Sequence, residues 1–119
     1  MKITRFFTGS DNESHFEEIE INTDQAGNPY RNGELIKAAG LLLRESGPPT
    51  GSQSARFHQV SRRQFGIILK GELEIEVGDG TKHRFEPGNM FLAEDTTGHG
   101  HRTRSTGNED VNILFIPLS

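Results

Sequence analysis

The chain has 119 residues, a length at which one domain forms a single adequate core, and its 31% apolar content makes that core lean. Thirteen basic and 17 acidic side chains leave a net charge of −4, which argues against general nucleic-acid binding. No run approaches the roughly 18 apolar residues that span a membrane, and the absence of cysteine excludes disulfides, a thiol nucleophile and thiolate metal sites. Met1–Arg5 leads into no apolar leader core, so the expected location is the cytoplasm. Charge is unevenly spread. Asp11, Glu13, Glu17, Glu18 and Glu20 make the N-terminal part acidic, whereas Arg56, Arg62, Arg63, Arg102 and Arg104 flank the histidine-bearing segments.

Lys2–Phe7 reads as a first strand, followed by the turn cluster Thr8–Asn12 and a second extended segment carrying Phe16, Ile19 and Ile21. Asn22–Gly33 is loop-like. Glu34–Arg44 is ambiguous between a helical turn and a buried strand, and its interior Gly40 followed by leucines favours the strand. A second loop, Ser46–Ser52, is too short to link domains. Strands are then expected near Ala55–Val60 and over Gln64–Lys70, joined by Ser61-Arg62-Arg63. Gln64–Lys70 is apolar on both faces, the pattern of a strand covered on both sides, here by a partner subunit behind the sheet. Glu72–Val77 alternates strictly, which places Leu73, Ile75 and Val77 inside and Glu72, Glu74 and Glu76 in water. After the tight turn Gly78-Asp79-Gly80, further strands are expected at Lys82–Phe85, Asn89–Ala93, His101–Ser105 and Val111–Leu118. Short strands, regular glycine turns and no convincing helix define an all-β sandwich or barrel in one domain, residues 1–119.

Two motifs narrow this reading. Gly71 closes a segment in which His58, Val60 and Gln64 stand at the positions of G-x5-H-x-H-x(3–4)-E-x6-G, with Gln64 in place of the glutamate. The longer spacing instead aligns Gly51, Phe57 and Gln59. Gly88 opens a second segment whose histidine position, in G-x5-P-x-G-x2-H-x3-N, is His99, with Glu94, Thr96 and Thr103 at the Pro, Gly and Asn positions. Over residues 51–118 the chain resembles the cupin family, and the stretch L-A-E-D-T-T-G-H-G-H-R-T-R resembles its small single-domain members. In those members the second histidine of G-H-G-H, here His101, is the motif residue. The resemblance implies an RmlC-like jelly-roll β-barrel, with residues 1–50 adding N-terminal strands and loops.

The resemblance also implies a three-His-one-Glu site for a divalent Fe, Mn, Ni, Zn or Cu ion. What this chain supplies at those positions is His58, Gln64 and His99 or His101, a degenerate set in which a neutral amide replaces the anionic ligand. The alternative is a metal-free pocket where the same groups bond a ligand or one another. His58 and His101 are the candidate catalytic acid and base. Gln64, Arg62, Arg63 and Arg102, with Arg56 nearby, are the candidate binders of a small anionic metabolite. Glu94 or Asp95 orients His99 or His101, or else Asp95 caps the turn through the amides of Thr97 or Gly98; the turn reading is favoured. The function expected is that of an isomerase, lyase or dioxygenase acting on a small molecule, or of a non-catalytic metabolite-binding module. The protein is expected to be a homodimer.

Overall fold

The structure is a computed structural model that describes residues 1–24, 29–47 and 56–119. These contain nine strands and no helix: β1 (Lys2–Thr8), β2 (Ser14–Glu20), β3 (Leu42–Ser46), β4 (Gln64–Lys70), β5 (Leu73–Glu76), β6 (Lys82–Phe85), β7 (Met90–Ala93), β8 (Arg102–Ser105) and β9 (Val111–Pro117). They form a six-stranded sheet, β2-β1-β7-β4-β9-β3, and a three-stranded sheet, β6-β5-β8. The pairings are antiparallel except for β1 with β7. The result is an all-β, jelly-roll-like sandwich. Among the described residues no helix is long and apolar enough to cross a membrane.

Period-two alternation makes the core. Val111, Ile113 and Phe115 of β9 face inward, against Ile68 of β4, Phe91 of β7, Phe6 of β1 and Leu73, Ile75 and Val77 on the small-sheet side. Gly66 lies directly across from Phe91, and a side chain at 66 would occupy the space of that ring. The glycine thus makes room for the largest group in the middle of the sheet. A second apolar cluster, Ile3, Phe65 and Leu92, covers part of the outer face of the large sheet.

Several expectations are met to within a residue or two, notably β1, β4, β6 and β9. Others are corrected. Within 56–60 there is no strand but an isolated bridge between His58 and His101; Ala55 lies outside the described residues, as do parts of the two expected loops. Of Glu34–Arg44 only the end joins β3, after a single bridge between Ala38 and Leu118 that is flanked by backbone hydrogen bonds of Lys37 and Ala39 to the chain end. Glu74 is 7% exposed and not in water. Its strand is the central one of three, so Arg84 and Arg104 stand directly opposite and lay their stems over it. Arg104 Nε lies 2.8 Å from Glu74 Oε1.

The two sheets are also tied at their turns. His15 of β2 holds Asp11 through Nε2 at 2.8 Å and Asp79, in the β5–β6 turn, through Nδ1 at 2.8 Å. Hydrogen bonds donated by the ring to Asp11 first, then to Asp79, raise the His15 pKa above its usual value, against the smaller effect of desolvation. A histidine raised in this way stabilises the fold fully below its unfolded value, near 6.5, and loses that contribution as pH rises through the folded value. The difference in urea resistance between wild type and His15→Gln should therefore be largest near about pH 6 and shrink by about pH 9. A difference independent of pH would contradict this assignment.

Candidate functional site

Between the sheets lies a cavity of about 420 Å³. Its floor is apolar, with Phe6, Ile75, Phe91 and Phe115 buried, while the exposed lining residues Leu42, Arg44, His58 and Arg62 mark its rim. Among the described residues no Asp or Glu lines it.

Backbone geometry brings the two candidate histidines together. The amide of His58 donates to the carbonyl of His101 at 2.8 Å, and the amide of His101 donates back at 3.0 Å. This close approach requires glycine at 100, where φ is +86° and any side chain would collide with the His58 backbone. The second glycine of G-H-G-H is therefore a packing requirement of the site. The two imidazoles sit 4.6 Å apart, centre to centre.

His101 is 6% exposed, and its ring rests on the Phe6 ring at 4.8 Å. Its Nδ1 lies 2.7 Å from Oδ2 of Asp95, which is fully buried. The same oxygen accepts the hydroxyl of Ser14 at 2.9 Å. An ionised carboxylate only accepts, so the proton in the contact is on Nδ1, and when the ring is neutral the lone pair is on Nε2 of a ring that lines the cavity. His58 is oriented in the same sense. Its Nδ1 is 3.0 Å from the Arg56 carbonyl, which can only accept, so its Nε2 is also left unprotonated when the ring is neutral.

The remaining expected residues divide. Gln64, at the start of β4, and Arg62 line the cavity. His99 does not: its ring stacks on Phe57 at 4.3 Å and its Nδ1 meets Glu13 at 2.9 Å, on the outside. Arg63 is held by Glu94 at 2.5 Å. Arg102 grips Glu76 through Nε and Nη2 at 3.0–3.2 Å, with its guanidinium over the Phe57 ring. Asp95 bonds Ser14 and His101, not the turn amides, because a fully buried carboxylate needs donors from the interior.

Two residues of the site were not singled out from the sequence. Ser14 is 81 positions from Asp95, and no local signal joins them. Arg44 lines the cavity from β3, on the same face as Leu42; its place two residues after a leucine in an extended segment was the available clue.

The donors do not fit a three-His-one-Glu metal centre. Among the described residues the cavity offers two imidazoles and the neutral amides of Gln59 and Gln64, and Asp95 is engaged elsewhere. Among the described residues no group of three His, Asp or Glu is placed to hold an ion, and residues 25–28 and 48–55 contain none of these types.

A family model described as a Cupin domain matches residues 44–117, more than half the chain. The chain is a cupin. No curated protein matches it. Among solved structures it is similar to NMB1881 of Neisseria meningitidis, with 19% identity and a TM-score of 0.53 over 72% of this chain and 81% of that one. The Cnp3 cupin domain of Schizosaccharomyces pombe is 16% identical with a TM-score of 0.52, over 99% and 87% of the two chains. A sugar phosphate isomerase of the cupin superfamily from Silicibacter pomeroyi is 18% identical, also with a TM-score of 0.52, over 100% and 71%. At these identities the cupins share a fold and nothing finer.

Proposed function

We propose that this cupin binds a small organic anion in the inter-sheet cavity and moves a proton on it, as an isomerase or lyase, without a metal. The observation that carries this reading is His101, a cavity-lining ring fixed at Nδ1 by buried Asp95, which leaves Nε2 as the nitrogen not engaged by that carboxylate. In this scheme His101 Nε2 takes a proton from carbon, and the C–H electron pair passes into the adjacent carbonyl or carboxyl group. The imidazolium returns that proton to another atom of the same molecule, which balances an isomerisation without a co-substrate. Delivery to a departing hydroxyl group instead gives the lyase outcome, with water released. Asp95 is a positioning residue that stabilises the imidazolium. His58 accepts a hydrogen bond from a substrate hydroxyl at the rim, Gln64 donates to the developing oxyanion, and Arg62 supplies the charge that draws the anion in. A dioxygenase reading would need the metal that the donor set does not fit. The cysteine-free composition suits the cytoplasm.

The test is solvent exchange. Pyruvate, 2-oxobutyrate and phenylpyruvate are incubated with the protein in D2O, and loss of the C3 proton signal is followed by NMR. Wild type should exchange at least one of them faster than buffer, and His101→Asn should lower the enzymatic rate about 100-fold or more with the fold intact. No exchange above buffer, or an equal rate in His101→Asn, would leave a binding module and sink the catalytic reading.

The protein is further proposed to be a homodimer. Leu35 is 96% exposed and Leu43 66%, and Leu69 adds to the uncovered apolar surface. Native mass spectrometry at micromolar concentration should give twice the chain mass, and Leu43→Lys should shift the population towards monomer. A monomeric wild type contradicts this proposal.

A further inference from the structure

The arginines around the barrel fall into two sets. Arg63, Arg84, Arg102 and Arg104 each lie against a glutamate. Arg44 and Arg62, which line the cavity, have no carboxylate partner among the described residues, and residues 25–28 and 48–55 contain no Asp or Glu to provide one. Two uncompensated cations thus stand at the rim of a cavity without acids.

Arg44 differs from Arg62 in being held. It stands on β3 opposite Ile113 of β9, and its guanidinium carbon lies 4.8 Å from the centre of the buried Phe115 ring. Stacking on an aromatic face fixes the guanidinium plane and leaves its N–H edge free. A planar fork with a fixed edge matches the two oxygens of a carboxylate. One held guanidinium balances one negative charge. Beyond it the floor is Phe6, Phe91 and Phe115, apolar and with rings inclined to one another, in a volume of about 420 Å³, towards the small end of ligand pockets, about 300–1,000 Å³.

We infer that Arg44 is the anchor of the cavity's ligand, and that the ligand is a monocarboxylate with a compact apolar body. The carboxylate sits on Arg44 at the rim and the body lies on the phenylalanine floor beside His101, with Arg62 adding attraction but no fixed geometry. This rests on the reading of the cavity as an anion site and adds the ligand class and the residue that selects it.

Benzoate and benzamide test it, since they share size and flatness and differ in charge. Each is titrated into the 15N-labelled full chain, as wild type, Arg44→Met and Arg62→Met, with the His101 and Phe115 amide signals as readout. Wild type should bind benzoate at least about tenfold more tightly than benzamide. Arg44→Met, a change at an exposed position that keeps an unbranched stem, should weaken benzoate about tenfold or more and leave benzamide within about twofold. Arg62→Met should weaken benzoate less. Unchanged benzoate affinity in Arg44→Met, with loss in Arg62→Met, overturns the anchor but leaves the anion site standing. Equal affinity for benzoate and benzamide in wild type, or no binding of benzoate at millimolar concentration, overturns both. Solvent exchange by His101 is read separately, so its failure alone would not touch the anchor.

Discussion

A carboxylate buried without charge compensation costs several kcal/mol, and the histidine-bearing end of this barrel is organised around reducing that cost at Asp95. One of its oxygens receives both the Ser14 hydroxyl and the His101 ring N–H, while the other has no partner among the described residues. Ser14 lies at the start of β2 and His101 just before β8, so this one carboxylate joins the large sheet to the small one. The segment from Glu94 to Gly100 is further secured to the β1–β2 turn by Thr8 on the Thr97 carbonyl and by the His99 amide on Asn12.

This anchoring has a chemical consequence. A histidine free to rotate offers either nitrogen, whereas His101 has its tautomer chosen for it. His58 is added by a two-bond bridge that exists only because residue 100 is glycine. The outer charges behave differently. Glu72, just before β5, and Glu74 and Glu76 on it neutralise the arginines of β6 and β8 on the far face of the small sheet, so the arginines that line the cavity among the described residues are those on β3 and in the loop before β4. Charge pairing outside thereby sharpens the positive character inside.

The fold was legible because its signals are local. Alternation in Glu72–Val77 and the Gly78-Asp79-Gly80 turn define β5, β6 and their hairpin without reference to the rest of the chain. The site was legible only in part. His58, His101 and Gln64 stand out through motif spacing and all line the cavity, but His99 and His101 look equivalent in sequence; the backbone turn at Gly100 sends one outward and one inward. Arg63 and Arg102 cannot be told from Arg62 by composition, because their partners Glu94 and Glu76 are set by loop path and strand register. Ser14, Arg44 and the burial of Glu74 depend on pairings between distant segments, to which a linear reading is blind.

Asp95 holds the neutral ring of His101, a residue that lines the cavity, with its proton on Nδ1 and its lone pair on Nε2. Long-range 1H–15N NMR of the imidazole rings tests it directly in alkaline solution, where the neutral form is observed. His101 should appear as the Nδ1–H tautomer, with the Nε2 shift of an unprotonated nitrogen, and its Nδ1–H signal should move in Asp95→Asn. An Nε2–H tautomer, or rapid exchange between the two forms as in free imidazole, would contradict it.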